Sequence, residues 1–225
     1  MSTEPGRVVV SWSGGKDAAW ALHQLRQEPG LEIAGLLTTV NRAFHRVAMH
    51  GVRVELLRAQ ADAAGLPLHE VPLPWPCNNE RYEAAMRDAI SRLRRRWHMT
   101  HLAFGDLFLE DVRAYRVARL VGTGIEPLFP IWGRPTRELA ETMLAAGVRA
   151  RIVCLDPTKV TRELAGREID RELLEMLPAG VDWCGERGEF HTFVAEGPML
   201  ARPISVKPGD VVEREGFVYA DLLAA

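Results

Sequence analysis

Lysine is almost missing from this sequence. It stands only at Lys16, Lys159 and Lys207, so arginine supplies 25 of the 28 basic residues. Where arginine serves every generic positive charge, a retained lysine is a candidate for a task that needs a compact, rotatable ammonium rather than a planar fork. Codon bias and drift suffice for Lys159 and Lys207; Lys16 has to be read with its neighbours. Cysteine is scarce as well. Cys77, Cys154 and Cys184 are odd in number and far apart, and no CxxC pair occurs, which leaves a zinc ribbon or a redox dithiol unsupported. No apolar run approaches the roughly 18 residues that would span a bilayer, and residues 1–7 lack an apolar signal core. A basic excess is missing too: 28 Lys+Arg against 30 Asp+Glu give a net charge of −2, which argues against a dedicated nucleic-acid or membrane-surface binder. These absences describe a reduced, cytoplasmic, globular protein.

What is present suffices for one large domain or two small ones, with 225 residues of which 47% are hydrophobic. Residues 7–12 (RVVVSW) form a β-branched strand, two glycines follow, and Trp20, Ala21, Leu22 and Leu25 fall near helical spacing. Further strands are expected at 32–40, 67–73, 101–105 and 127–132, alternating with helices at 52–64, 80–97 and 110–121. This rhythm predicts an α/β fold: a Rossmann-like parallel sheet of five strands with helices on both faces, whose ligands sit beyond the carboxyl ends of the strands. After Trp132 the rhythm weakens to a helix at 136–146, a strand at 149–155, a short helix at 168–176, a Gly-rich polar stretch at 180–188 and strand-like segments. The division expected is residues 1–132 and a smaller α+β lobe at 133–225.

Three constellations carry chemistry. Ser11-Trp12-Ser13-Gly14-Gly15-Lys16-Asp17 lies between the first strand and the first helix. Its glycines let the backbone turn, and the helix N-terminus supplies unpaired N–H groups and a positive dipole end, which together make an anion site. Ser13 adds a hydroxyl and Lys16 an ammonium for phosphate oxygens, and Asp17 is placed to help hold magnesium. The stretch is neither GxGxxG nor a Walker A loop, because Val10 occupies the first glycine position and Asp17 follows Lys16. Next, Gly105-Asp106-Leu107 ends the fourth strand; Asp106 is a candidate for magnesium or a ribose. Arg113 and Arg116, three apart on the next helix, are candidates for phosphate or a carboxylate, while Glu110 and Asp111 read as a solvated helix start. The third is 182–192 (DWCGERGEFHT), a loop too rich in Gly and polar groups for a core element and therefore a binding-site candidate. Cys184 reads more readily as a small half-buried thiol than as a nucleophile, and His191 equally as a ligand-facing or a half-core histidine.

Ser-Gly-Gly-Lys-Asp resembles the pyrophosphate-binding loop of the N-type ATP pyrophosphatases, of the adenine nucleotide alpha hydrolase superfamily, whose pattern ends in Ser where this chain has Ala18. Together with Gly105-Asp106-Leu107, Pro127-Leu128-Phe129-Pro130-Ile131-Trp132, Cys184-Gly185-Glu186 and Gly188-Glu189-Phe190-His191-Thr192, all in order, it resembles the diphthine–ammonia ligase (diphthamide synthase) family. The departures lie at Trp183 and Arg187, where the family pattern looks like Pro and Asn. The resemblance implies an ATP-dependent ligase that adenylates a carboxylate, releasing pyrophosphate, and transfers ammonia to give an amide and AMP. It implies ATP contacts at Ser11, Ser13, Gly14, Gly15, Lys16, Asp17, Gly105 and Asp106. Substrate contacts fall at Arg113, Arg116, Cys184, Gly185, Glu186, Glu189, His191 and Thr192. The catalytic set is Lys16, Asp17, Asp106, Glu186, Glu189 and His191, with Mg2+ at Asp17 and Asp106. The partners are then ATP and AMP, ammonia, and a carboxylate on a small molecule or a modified protein side chain, without membrane or nucleic acid, and with a homodimer as one arrangement. A nucleobase-modifying enzyme with the same loop and a non-turnover ATP or AMP sensor are the alternatives, the latter suggested by Ala18. His45, Met49, His50, Gly51 and Arg53 are expected to border the adenine, with no zinc. Arg92, Arg94, Arg95, Arg96 and His98 read as a solvated helix end.

Overall fold

The computed structural model describes residues 4–47 and 50–225; Met49 of the expected adenine border lies outside them. The N-terminal half runs β1 (Gly6–Ser11), α1 (Lys16–Leu25), β2 (Leu31–Asn41), β3 (Arg46–Val47), α2 (Val54–Ala64), β4 (Leu68–Leu73), α3 (Asn79–Trp97), β5 (His101–Ala103), α4 (Glu110–Leu120) and β6 (Glu126–Leu128). It continues as α5 (Thr136–Ala145), β7 (Arg149–Leu155), α6 (Arg171–Met176), β8 (Phe190–Glu196), β9 (Val206–Arg214) and β10 (Phe217–Ala224). Five strands, in the spatial order β4-β2-β1-β5-β6, pair in parallel, and the two-residue β3 joins the end of β2 antiparallel. The remaining strands form an antiparallel sheet in the order β8-β7-β10-β9.

The Val run of β1 explains why this strand is central. Val8, Val9 and Val10 are fully buried, and alternate residues enter opposite cores: Val8 and Val10 join the cluster with Leu22, Leu56 and Leu57 of α1 and α2, whereas Val9 joins Ala89, Ile90 and Leu93 of α3. A strand buried on both faces has no polar alternation, which is how the sequence reads. The α1 and α2 side also contains Phe193, Val194 and Leu222, so the antiparallel sheet shares that core. Helix ends follow their local chemistry: Gly65 closes α2 with φ 67°, and Asp170 caps α6 by accepting from the Leu173 amide at 2.7 Å.

From β1 the chain steps to β2 and β4 on one side, then returns to β5 and β6 on the other. The order reverses between β1 and β5, the position at which open parallel sheets bind ligands. The turn after β1 and the segment Phe104-Gly105-Asp106 after β5 meet there.

Two boundaries differ from the sequence expectation by three residues or more. The fifth strand stops at Leu128, because Phe129 and Trp132 leave the sheet to receive the Arg113 guanidinium at 5.3 and 4.7 Å from their ring centroids. The helix expected from 168 starts at Arg171, since Glu168 makes an isolated bridge with Arg151. Among the described residues no helix is long and apolar enough to cross a membrane.

Candidate active site

Ser11 ends β1 in register with Leu37, and the chain then turns at Gly14 with φ 81°; a side chain there would also meet Gln60 Oε1 at 2.7 Å. Gly15 starts α1 without a side-chain cap. Its amide meets Ser13 Oγ at 3.2 Å, and the Lys16 amide donates to Thr192 Oγ1 at 3.0 Å. Gly105 lies directly against this first helical turn: a Cβ on it would come within 2.7 Å of the Asp17 carbonyl carbon and 2.8 Å of the Ala18 nitrogen. Its glycine identity is therefore a packing requirement that brings β5 onto the N-terminus of α1.

Lys16 is only 4% exposed. Its Nζ sits 2.9 Å from Asp17 Oδ2, donates to the Cys184 carbonyl, and lies 5.5 Å from the centroid of the Phe190 ring. Burial disfavours the charge, but the Asp17 carboxylate, supported by Cys184 and Asp182, outweighs it and holds the ammonium above its ordinary pKa. The side chain thus joins the start of α1 to the 182–192 loop.

That loop is built from its own acids. Asp182 Oδ1 accepts from the amides of Cys184 at 3.0 Å and Glu186 at 3.2 Å, and Oδ2 accepts from Thr136 Oγ1 at 2.5 Å. Glu189, buried, accepts from the amides of Asp182 at 3.1 Å and Arg187 at 2.8 Å, so both its oxygens serve the backbone. Gly185 has φ 73°, with the Phe190 carbonyl 2.6 Å from where a Cβ would be. The Cys184 thiol faces the Thr136 carbonyl at 3.4 Å, and burial pushes its pKa up, which removes the thiolate needed of a nucleophile.

Glu186 reaches the other way and accepts from the Leu107 amide at 2.8 Å. Burial, with Asp17 and Asp106 adding negative potential against the Leu107 amide and Lys16, raises its carboxyl to about 7. His191 packs against His50 with the rings tilted and centroids 4.4 Å apart, and burial, with Lys16, lowers its pKa to about 4, so its imidazole is neutral at pH 7. Asp106 pairs with Arg116 at 3.2 Å, and Arg116 lies 4.7 Å from the Phe104 ring centroid. Arg113 and Arg116 are thus both seated on aromatic rings. Among the described residues no three His, Cys, Asp or Glu side chains are grouped to hold a metal ion.

The sequence reading missed Gln60 and Thr38. Gln60 is fully buried on α2 and bonds Trp12, Gly14 and Val194. A polar residue on the apolar Leu56, Leu57, Ala61, Ala64 face was the available signal. Thr38 Oγ1, near the carboxyl end of β2, is the buried side-chain polar atom without a hydrogen-bond partner among the described residues.

This geometry can be set beside known proteins. The family model for the diphthamide synthase N-terminal domain matches residues 6–123, and that for the diphthamide synthase C-terminal domain matches residues 135–221. The chain belongs to the diphthamide synthase family. Within it, the chain is similar to the diphthine–ammonia ligase of Bos taurus, at 24% identity over 95% of this chain and 88% of that protein. The Homo sapiens protein of the same name is 23% identical over the same shares. That of Rattus norvegicus is 30% identical over 50% of this chain and 44% of its own length. In diphthamide synthase terms, the turn at 13–16 and Gly105-Asp106 lie in the N-terminal match, and the 182–192 loop lies in the C-terminal one.

Proposed function

We propose that this protein is an ATP-dependent ligase that forms a carbon–nitrogen bond: it adenylates a carboxylate and transfers ammonia to the acyl group. The observation that carries this reading is the convergence, at the switch point between β1 and β5, of the Gly14-Gly15-Lys16 turn, Gly105-Asp106 and Glu186. A carboxylate oxygen bonds to the α-phosphorus of ATP as the bond to the bridging oxygen breaks, and pyrophosphate leaves. Ammonia then bonds to the acyl carbon, the carbon–oxygen bond to AMP breaks, and the nitrogen gives up a proton. The protein positions the reactants and stabilises charge. Ser11, Ser13, Gly14, Gly15, Lys16 and Asp17 serve the phosphates. Glu186, titrating near neutrality, is the base for the nitrogen's proton. Glu189 and Thr192 hold the loop and the turn in place, and neutral His191 faces the acyl group.

Residues 1–132 act as the ATP-binding unit and 133–225 as the substrate-binding lobe in this reading. A magnesium ion bound with the nucleotide would neutralise phosphate charge. Asp17 and Asp106, here paired with Lys16 and Arg116, would supply carboxylate oxygens to it. A cytoplasmic setting, where ATP and ammonia are available, suits the reaction. The acid named in the relatives is diphthine, so a diphthine-bearing protein is the first acceptor to offer. With ATP, magnesium and ammonium, AMP, pyrophosphate and amide should appear together; ADP as the product would overturn the assignment. AMP binding without turnover would instead restore the sensor reading, which, like the nucleobase-modifying one, the relatives' names do not favour.

A further inference from the structure

Gln60 sits one helix away from the turn and touches it through a single carbonyl. Its orientation is fixed by chemistry: the Trp12 indole N–H can only donate, so it requires Oε1, found at 3.0 Å, while the Gly14 and Val194 carbonyls can only accept, so they require Nε2, at 3.0 and 2.7 Å. All three partners are satisfied in one rotamer of a fully buried side chain. The Gly14 oxygen also accepts from the Val194 amide at 2.9 Å. Because a trans peptide is planar, the Gly14 carbonyl and the Gly15 N–H point in opposite directions within one plane. Two donors that pin the oxygen thereby fix where the N–H points, which is toward Ser13 Oγ. A glycine pair has no side chain to restrict this peptide and would otherwise let it rotate.

We infer that Gln60 is a positioning residue for phosphate recognition: by clamping the Gly14 carbonyl from behind, it sets the Gly15 amide and the Ser13 hydroxyl that amide donates to as one unit toward the β- and γ-phosphates of ATP. The inference rests on the proposed reading of the 13–16 turn as the pyrophosphate site. It adds a further tie from the C-terminal half of the chain to that site, beside Thr192 and Cys184, since Gln60 and the Val194 main chain act as one bracket around Gly14.

Calorimetric titration of the purified full chain with ATP, inorganic pyrophosphate and AMP tests it, beside thermal unfolding of each variant. Gln60→Leu should weaken ATP and pyrophosphate about tenfold, the loss expected for one misdirected hydrogen bond to a charged group. AMP, which lacks the β- and γ-phosphates, should change less than about twofold on the same grounds. Gln60→Glu, while protonated, can donate to one of the two carbonyls. Its ATP affinity should lie between wild type and Gln60→Leu and fall as rising pH ionises the acid, while AMP affinity stays level. A folded Gln60→Leu protein with the wild-type ratio of ATP to AMP affinity overturns the inference, as does equal loss of both ligands, the mark of a purely structural role. Should Gln60→Leu not fold, the pH response of Gln60→Glu decides, and a flat ATP-to-AMP ratio overturns it. A wild-type protein that binds AMP but neither pyrophosphate nor ATP more tightly would instead overturn the reading of the turn itself.

Discussion

Replacing Lys16 with methionine keeps the length of the side chain and removes its charge. In the wild-type protein the Lys16 side chain is 5% exposed, and that of its Asp17 partner, 2.9 Å from the ammonium, is 25% exposed. The variant leaves the Cys184 carbonyl without its donor and the Asp17 carboxylate without its counter-ion. Breaking a buried pair by removing one partner costs about 3–5 kcal/mol; the partial exposure of Asp17 argues for the lower end, about 3 kcal/mol. For a chain of this size that corresponds to a fall in melting temperature of roughly 6–12 °C. Thermal unfolding followed by circular dichroism reads it directly. The double variant Lys16→Met with Asp17→Asn removes the orphaned charge and should recover most of the loss. Pyrophosphate release should vanish in both proteins if the ammonium also serves the phosphates. A Lys16→Met melting temperature within about 2 °C of wild type would refute the electrostatic reasoning. Recovery of pyrophosphate release in the double variant would confine Lys16 to a structural role.

Glu186→Gln separates the base from the scaffold. In wild type, amide formation should rise as pH passes about 7, where the raised Glu186 carboxyl ionises, and the rise should be absent in Glu186→Gln. The same shift has a stability sign: a carboxyl raised from 4.5 contributes stability fully present below pH 4.5 and lost as pH rises through about 7, so Glu186→Gln should flatten that part of the denaturation profile. Gly105→Ala drives a methyl group to 2.7 Å from the Asp17 carbonyl carbon and should cost about 1–3 kcal/mol in urea unfolding; an unchanged midpoint would show that the β5–α1 contact is not tight. Cys184→Ala should keep turnover within about threefold, because the thiol faces the Thr136 carbonyl and it is the main-chain oxygen that meets Lys16; complete loss would revive the nucleophile.

The fold was legible where burial is two-sided or the chemistry local. The Val run of β1 and the stretch that becomes β7 (Arg149–Leu155) read as strands because β-branched and apolar residues run between turn signals. The 127–132 stretch looked the same, yet half of it is a platform for Arg113; an aromatic-rich segment has the same composition whether its rings enter a core or receive a cation. The two residues of β3 carry no periodicity to detect. Within the site, the glycine turn and the 182–192 loop were visible as departures from regular patterns, but their partners were not. Glu189 reads as chemistry in sequence and works as a staple, because which backbone amides lie within 3.1 Å of its oxygens is a tertiary fact. Gln60 was readable only as a polar residue on an apolar helix face.

The scarcity of lysine takes on a physical meaning from these contacts. Lys16 donates to the carbonyl of Cys184, and Lys159 donates to that of Arg187 at 2.8 Å, with Asp156 at 3.5 Å. Two of the three lysines therefore hold main-chain oxygens three residues apart in the same loop. Each ammonium reaches its carbonyl while turning other protons to a neighbouring carboxylate, Asp17 for Lys16 and Asp156 for Lys159. Arginine serves both kinds of acceptor: Arg53 forks onto the Asp221 carboxylate and Arg58 onto that of Glu70, while Arg26 donates to the Met199 and Ala64 carbonyls and Arg94 to that of Thr123. What sets Lys16 apart among the described residues is burial: it is the one basic residue enclosed in the interior, where a compact ammonium fits more readily than a planar fork.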